Sequence, residues 1–219
     1  MTTFPNSPRL LKAGLVLIDP ASAAVLRVIT LQYNPDTLSR TLQVKGIGAE
    51  AGDRLEAQRL TGPPIETIKL DAEIDAADQL EFPDQNTTTA QLGIHPQLAV
   101  LETLVYPTSA QLQSANGLAG AGTLEILPAE APFTLFVWSK QRILPVRVTD
   151  FSITEEAFDP NLNPIRAKVS LGLRVLSVND LSFAHPGSSI FMAYLQQKER
   201  LAAQSPAGTL GASGITSVT

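Results

Sequence analysis

Three carboxylates alternate along one short stretch of the chain, and their spacing could support chemistry. Asp71, Glu73 and Asp75 occupy positions i, i+2 and i+4, so in a β-strand their side chains project from one face. Carboxylates with this spacing could hold a cation or act as an acid–base pair. Lys69 shares the face and no histidine lies in the segment, so the pattern favours a solvated or subunit-contacting surface.

Other catalytic and ligand-binding patterns are missing from the sequence. The chain has no cysteine and only 2 histidines, so it has no thiolate zinc site, iron–sulfur cluster or cysteine nucleophile. His95 precedes a predicted helix, and His185 lies in a predicted turn. Gly46, Gly48 and Gly52 are spaced G-x-G-x-x-x-G, which is not a dinucleotide fingerprint. We therefore expect a protein that is not an enzyme and that has no cofactor or metal.

Charge and hydropathy exclude two more classes of protein. The 219 residues carry a formal net charge of -5, which repels phosphates, and no block of basic residues interrupts it, so we expect no nucleic-acid binding. The apolar stretch nearest the N-terminus runs from Ala13 to Ile18, whereas a membrane-spanning helix needs about 20 residues. We expect no membrane insertion by this chain, and synthesis and assembly in the cytoplasm.

The carboxylate strand belongs to a series of strands that residue alternation and turn residues predict. The predicted strands are 12–18 and 25–33 as a hairpin, 38–44, 68–75, 133–138 with 142–153 as a second hairpin, and 167–175. Pro145 predicts a sheet edge or a bulge. Helices are predicted over 96–105 and from a Ser188 cap onward. Because most connections are short, the strands should be antiparallel, and the fold class is mainly β with one or two helices.

We expect one folded domain over residues 10–204, preceded by an arm at 1–9 and followed by a flexible Ser/Gly/Thr tail at 205–219. The segment 45–64 is unusually long for a loop inside a domain, so we expect it to bind a partner. The segment 114–132 reads as a Gly/Ala-rich connection with a short strand near 124–127. Trp138 and Phe158 are expected in the core, with a subunit contact as the alternative.

One part of the chain resembles a known family. Residues 133–176 are similar to the tube-protein domain of contractile injection systems, specifically the baseplate-proximal tube adaptor of extracellular phage-tail-like particles. The likeness is carried by the aromatic-rich strand that ends in Trp138, by Leu144-Pro145-Val146-Arg147-Val148, by the run from Ile153 to Asp159, and by Asn163-Pro164-Ile165-Arg166-Ala167. The motif positions singled out are Trp138, Phe158, Asp159, Asn163 and Pro164. Tyr33-Asn34-Pro35 followed by Leu38 also resembles the family's opening strands, which extends the likeness to about residues 10–200.

The resemblance implies a fold and a role. The fold would be two antiparallel sheets packed as a barrel-like sandwich with an outer helix. Six copies would form a ring between a trimeric spike protein and the inner tube protein, contact other baseplate components, and initiate tube assembly without catalysis. Longer members of the family continue into a LysM module, where this chain has its Ser/Gly/Thr tail.

This role predicts two sets of contact residues. We expect a lumen-facing or ring-contacting face made of Asp71, Glu73, Asp75, Arg166, Lys168 and Arg174, because these residues alternate with apolar ones. We expect an inter-layer contact at Gly46, Gly48, Arg54 and Arg59. The alternative is a free-standing β-sandwich that binds a small ligand or peptide, and a hydrolase that uses the carboxylate strand is a more distant one.

Overall fold

The protein is mainly β, as predicted. The computed structural model describes residues 11–19, 22, 24–46, 59–120, 132–206 and 208. The strands in this part of the chain are β1 (Gly14–Ile18), β2 (Val25–Thr30), β3 (Leu38–Gln43), β4 (Ile65–Asp75), β5 (Phe133–Ser139), β6 (Arg142–Phe158) and β7 (Pro164–Val175). The helices are α1 (Ala77–Leu80), α2 (Thr87–Leu92), α3 (His95–Glu102), α4 (Ser109–Gly120) and α5 (Pro186–Gln204).

The strands form one antiparallel sheet of seven strands in the order β2-β1-β5-β6-β7-β4-β3. The two sheets implied by the family resemblance are therefore a single hydrogen-bonded sheet here. The reason is β6, whose 17 residues pair with β5 through its first part and with β7 through the remainder. One long strand thus joins the two halves that a sandwich would separate.

The sheet curls so that its two halves share one core. The side chain of Gln32, just after β2, donates a hydrogen bond to the Asp75 carbonyl at 2.6 Å and accepts one from the Asp75 amide at 3.0 Å. Buried residues from both halves, among them Leu15 and Ile68, belong to the same apolar cluster as residues of α3 and α5. The curled sheet and these two helices therefore enclose a common interior.

The alternation in β4 is the clearest case of sequence determining orientation. Ile68, Leu70, Ala72 and Ile74 are buried, while Lys69, Asp71 and Glu73 are exposed. Since successive side chains of a strand point to opposite faces, this pattern places the core on one face of β4 and solvent on the other. The neighbouring strand β7 repeats it, with Ala167 and Val169 buried.

Pro145 lies inside the sheet, so the predicted edge position is wrong. It sits opposite Leu135 of β5, and its carbonyl accepts a hydrogen bond from Leu176 at 2.8 Å, one residue beyond the end of β7. The amide nitrogen and the carbonyl of a strand residue point to the same side. The Pro145 nitrogen, which has no hydrogen to donate, therefore faces the side of β6 on which β7 has already ended. The register does shift on β6, but between Val148 and Asp150.

The helices differ from the prediction in number and bounds. The predicted helix after residue 95 is confirmed as α3, and α5 is confirmed as an amphipathic helix. However, α5 begins two residues before Ser188, because His185 is its N-cap and accepts a hydrogen bond from the Gly187 amide at 3.0 Å. The hydroxyl of Ser188 instead donates to the Ser182 carbonyl at 2.8 Å. The start of the predicted connection 114–132 is the second half of α4.

Some predictions fall on residues that the structure leaves out. These are the arm at 1–9, the short strand at 124–127, Gly48 and Arg54 of the long segment, and nearly all of the tail. The domain limits accordingly stay predictions. No helix in the described part of the chain is long and apolar enough to cross a bilayer.

Candidate functional site

The predicted charged residues meet on the outer face of β4 and β7. The strand register places Asp75 opposite Arg166, Glu73 opposite Lys168 and Asp71 opposite Ser170. The Arg166 Nε atom lies 2.7 Å from an Asp75 carboxylate oxygen and 3.8 Å from one of Glu73. Opposite charges directly across antiparallel strands stabilise the pairing.

The charge pairing continues onto β6. Lys168 Nζ lies 3.2 Å from an oxygen of Glu156, and the Ser170 hydroxyl donates to the Asp71 carboxylate. We call this surface, defined by Asp71, Glu73, Asp75, Arg166, Lys168 and Glu156, the paired face. Its four carboxylates outnumber its two cations, so the paired face has a formal net charge of 2 - 4 = -2. The described residues contain no cluster suited to a metal ion.

Hydrogen bonding at the end of β4 lowers the pKa of Asp75. The Ala77 amide donates to its carboxylate at 2.7 Å, which is the largest influence, and the bond and charge of Arg166 act in the same direction. Burial opposes these effects without reversing them. Asp75 is therefore a fixed anion at neutral pH that holds both the start of α1 and Arg166.

Arg174 lies apart from the other predicted face residues. It stands opposite Arg147 of β6 and Thr67 of β4, and its guanidinium lies 2.6 Å from an Asp180 oxygen. Burial acts to raise the pKa of Asp180, but bonds from Ser177 and the charge of Arg174 outweigh it, so that pKa lies below its usual value. Arg174 thus anchors the turn after β7 while remaining on the outer face.

The ends of the long segment between β3 and β4 are held together. Gly46 and Leu60 form an isolated antiparallel bridge, and the Thr61 amide donates to the Lys45 carbonyl at 3.0 Å. Arg59 is exposed beside this bridge. Two of the predicted inter-layer residues, Gly46 and Arg59, therefore lie at the base of the segment, and Gly48 and Arg54 lie outside the described residues.

The motif at the β6–β7 turn joins the sheet to the helices. The Asp159 carboxylate accepts bonds from the Asn161 amide at 2.7 Å and the Asn163 amide at 2.8 Å. The Asn163 side chain also donates to the Gln91 carbonyl of α2 at 3.1 Å, and the Pro164 carbonyl accepts from Ile94 at 2.9 Å. These motif residues fix the chain leading into α3 onto the sheet.

The two singled-out aromatic residues have different environments. Trp138 is half-buried against the core, with its ring centroid 5.9 Å from that of Phe136. Phe158 is 50% exposed at the end of β6, so its predicted core position is wrong. Its neighbour Ala157 has a φ of 53°, and this irregular backbone ends the regular alternation of β6. Phe158 is thus available for contact with another molecule.

A buried ion cluster was not predicted from the sequence. Glu66 is 4% exposed and lies within 2.6 Å of Arg40 and 3.3 Å of Lys198. The Tyr194 hydroxyl accepts a bond from Arg40 at 3.0 Å, and Lys198 lies 4.2 Å above the Tyr194 ring. The signal was present, because Glu66 is in phase with the buried residues of β4. A carboxylate at a core position implies a buried cationic partner.

Both outer strands of the sheet carry exposed apolar side chains. On β2 these are Val25, Leu26 and Val28, and on and just after β3 they are Leu42 and Val44. Each of the two strands pairs with a neighbour on one side only in the described structure. Unpaired edges that carry apolar residues are templates for pairing with another chain.

A cleft of about 390 Å³ lies where the curled halves of the sheet approach each other. It is lined by the end of β2, by Ala72 and Ile74 of β4, and by Val100 and Leu101 of α3. The Gln97 Oε1 atom is buried at this cleft and has no hydrogen-bond partner among the described residues. The cleft could therefore take a small apolar group that carries a hydrogen-bond donor.

Comparison with known proteins gives limited similarity. No family model matches the chain, and no curated protein matches it. One similar solved structure is the tail of an empty gene transfer agent particle with C6 symmetry, at 11% identity and a TM-score of 0.28, covering 75% of this chain and 90% of that chain. Another is the virion of a native gene transfer agent particle, at 13% identity and a TM-score of 0.26, covering 74% and 90%. These values are too low to indicate a shared function.

Proposed function

We propose that this chain is a structural subunit of a contractile injection system. Six copies form an adaptor ring between the trimeric spike and the inner tube, contact other baseplate components, and initiate tube assembly. The subunit performs no catalysis. The resemblance of residues 133–176 to the tube-adaptor family supports this role. One structural observation carries it: within the described part of the chain, both edges of the sheet are open and apolar.

The open edges provide the means of ring formation. In a head-to-tail ring, each subunit presents one surface to one neighbour and a different surface to the other. The strands β2 and β3 lie at opposite ends of the strand order and offer two such different surfaces. Pairing them would bury the exposed Val28 and Leu42, which otherwise face water at a cost in free energy.

The first experiment measures the native mass of the full chain, alone and mixed with candidate spike and tube proteins, followed by negative-stain imaging. We expect a ring of six, either free or formed only on the spike. A chain that stays monomeric and ignores both partners would contradict the proposal. That outcome would favour the second candidate, a free-standing β-domain that binds a small ligand or peptide in the cleft beside α3.

A variant tests the edge directly. Val28 is 58% exposed on β2, so Val28→Lys should leave the fold intact while placing a charge in the joint between subunits. We expect the hexamer to be lost and the circular dichroism spectrum to be unchanged. The matched control is Phe183→Lys, which adds the same charge at an exposed residue away from both edges. Equal assembly by the two variants would contradict a role for β2.

The paired face and Arg174 are assigned to the lumen or to the ring contacts under this proposal. The test is a double charge reversal at Arg166 and Lys168, which leaves Asp75, Glu73 and Glu156 without their cations. We expect impaired ring assembly or tube loading. Asp75→Ala provides a comparison that disrupts the same pairing with less change in net charge. If the reversed protein assembles and loads tubes normally, this assignment is wrong.

The long segment is assigned to the contact with the next layer. Replacing residues 48–58 by a short Gly/Ser linker keeps the Gly46–Leu60 bridge, so the domain should fold. We expect rings that form normally and fail to start a tube. A variant that nucleates tubes as well as the wild type would show that the segment has another purpose.

A further inference from the structure

The charges of this chain are segregated along the sequence. Residues 70–139 contain no lysine or arginine, and their nine acidic residues are Asp71, Glu73, Asp75, Asp78, Glu81, Asp84, Glu102, Glu125 and Glu130. Because the whole chain has a net charge of -5, the remainder has a net charge of -5 + 9 = +4. The segment 70–139 is therefore acidic, and the remainder of the chain is basic.

One acidic surface is compact and exposed. Asp78 of α1 and the following Glu81 and Asp84 are exposed, and none of them has a cationic partner among the described residues. Phe82, in their midst, is 52% exposed. We call residues 78–84 the acidic turn. It combines three unpaired carboxylates with one aromatic ring.

Hydrogen bonds hold the acidic turn in one shape. The Asn86 side-chain amide donates to the Gln79 carbonyl at 3.1 Å and to the Phe82 carbonyl at 3.0 Å. The Thr89 hydroxyl donates to the Gln79 side chain at 2.7 Å. A surface that is already ordered loses less conformational entropy when a partner binds it.

A cationic groove lies between α5 and the β5–β6 hairpin. Two adjoining depressions of about 290 and 550 Å³ form it. The basic residues along it are Arg40, Lys140, Arg142, Lys198 and Arg200. Glu66 neutralises one of these five charges, which leaves +4. Within the described structure, Lys140, Arg142 and Arg200 have no carboxylate partner.

The groove also has an apolar part. Ile143, Ile190 and Ala193 line the larger depression, and Ile143 is among the exposed large hydrophobic residues of the protein. The groove therefore has an apolar lining flanked by unpaired cations. The acidic turn has the complementary composition, because its exposed aromatic ring, Phe82, lies between the unpaired carboxylates of Glu81 and Asp84.

The two surfaces lie at opposite ends of β4. The groove residues Arg40 and Lys198 contact Glu66, near the start of the strand, and the acidic turn follows shortly after Asp75 at its end. Nine residues of strand at about 3.3 Å each separate them by about 30 Å. They cannot meet within one molecule, and a second copy of the chain carries the complement of each.

We propose that copies of this chain associate head to tail, with the acidic turn of one copy docked in the cationic groove of the next. The contact is heterologous, so each new copy leaves one groove and one turn free, and association continues until the path closes on itself. This inference rests on the proposed assembly function and adds a second pair of complementary surfaces to the β2 and β3 edges, with a second copy of the chain as the partner.

Sedimentation velocity of two charge-reversed variants tests the contact. One variant carries Asp78→Lys, Glu81→Lys and Asp84→Lys, and the other carries Lys140→Glu, Arg142→Glu and Arg200→Glu. Each alone should self-associate at least about tenfold more weakly than the wild type. An equimolar mixture should associate again, since a reversed turn then meets a reversed groove. Wild-type association should weaken as salt is raised from about 50 to 500 mM.

The control is the double variant Asp36→Lys and Glu155→Lys, which changes charge at exposed residues outside both surfaces and should associate like the wild type. Unchanged association of either triple variant, a mixture that fails to recover, or a wild type that stays monomeric throughout would overturn the inference. The ring test with the spike is independent. Recovery in the mixture without a ring on the spike would contradict the proposed function and leave the head-to-tail contact standing.

Discussion

At the scale of single residues, Glu66 shows how a charged group is kept inside this protein. Its carboxylate is almost completely buried, and it is tolerated because Arg40, Lys198 and Tyr194 all direct polar groups toward it. Burying a charge without partners would be very costly. The partners of Glu66 also line the cationic groove. The buried Glu66 carboxylate therefore holds two of the cations of that surface in place.

Replacing Glu66 with Gln should destabilise the domain by about 2 kcal/mol. Breaking a buried ion pair by removing one partner costs about 3–5 kcal/mol, and the partial exposure of Arg40 and Lys198 reduces that penalty. Urea unfolding followed by circular dichroism measures the change. Glu155→Gln, which removes the same charge at an exposed position, should leave stability within about 0.5 kcal/mol. Equal effects of the two substitutions would contradict the buried cluster.

Acid should weaken the β6–β7 turn. The bonds from the Asn163 side chain and from the Asn163 and Asn161 amides hold the pKa of Asp159 below its ordinary value. Its contribution to stability is therefore present above the unfolded pKa of about 3.9 and is lost as the pH falls through the lower folded pKa.

The measurement is the free energy of unfolding between about pH 6 and pH 2. The wild type should lose stability below about pH 4, and Asp159→Asn should lose less over the same range because it has no carboxylate to protonate there. Asp36→Asn, which removes an exposed carboxylate with no hydrogen bond to any described residue, should follow the wild-type curve. A slope for Asp159→Asn as steep as that of the wild type would argue against this role.

At the scale of elements, the junction of α2 and α3 depends on a close backbone approach. Gly93 has a φ of 59°, and a Cβ atom there would lie 2.2 Å from the Pro164 carbonyl oxygen. This is the same carbonyl that accepts the bond from Ile94. The absence of a side chain at residue 93 is therefore what allows the helices to dock on the β6–β7 turn.

Gly93→Ala should destabilise the protein by about 3 kcal/mol, because it combines left-handed backbone strain with a clash against a main-chain atom. Gly117→Ala in α4 is the matched comparison. A Cβ there meets nothing within 4 Å, so this change should stabilise the protein by about 0.5–1 kcal/mol. Thermal unfolding of both variants checks the opposite signs. Two shifts in the same direction would contradict this account.

At the scale of the whole molecule, the strands were predictable and their arrangement was not. Alternation of apolar and polar residues in β4 and β7 is a local property, so the sequence alone indicated which residues would be buried. The joining of both halves into one sheet depends on the length of β6, whose last residues, 154–158, are mostly polar. Nothing local distinguishes a strand that continues from one that ends there.

The charged surfaces were predictable to a similar extent. The paired face follows from alternation, since residues on the same strand face must be neighbours. The cationic groove joins residues from β3, from the β5–β6 hairpin and from α5. Arg40 lies 140 - 40 = 100 residues before Lys140, and Arg142 lies 198 - 142 = 56 residues before Lys198. Only the tertiary fold brings Arg40 close to Lys198. The one local indication of that surface in the sequence is Glu66, a charged residue at a position of β4 where the alternation predicts an apolar one.

The contact between the Gln32 side chain and the Asp75 backbone can open and close while the strands of the curled sheet stay paired. A side-chain amide makes both bonds, so rotation of one side chain releases them without unfolding a strand. Two net hydrogen bonds contribute about 1–3 kcal/mol, which corresponds to an open minor state populated at about 0.6–16%. Hydrogen exchange of the Asp75 amide should therefore be fast relative to that of Leu70, and Gln32→Ala should accelerate it further. In the six-membered ring proposed above, alternate subunits on a threefold spike would face different surroundings, and this contact would let one fold adopt two shapes.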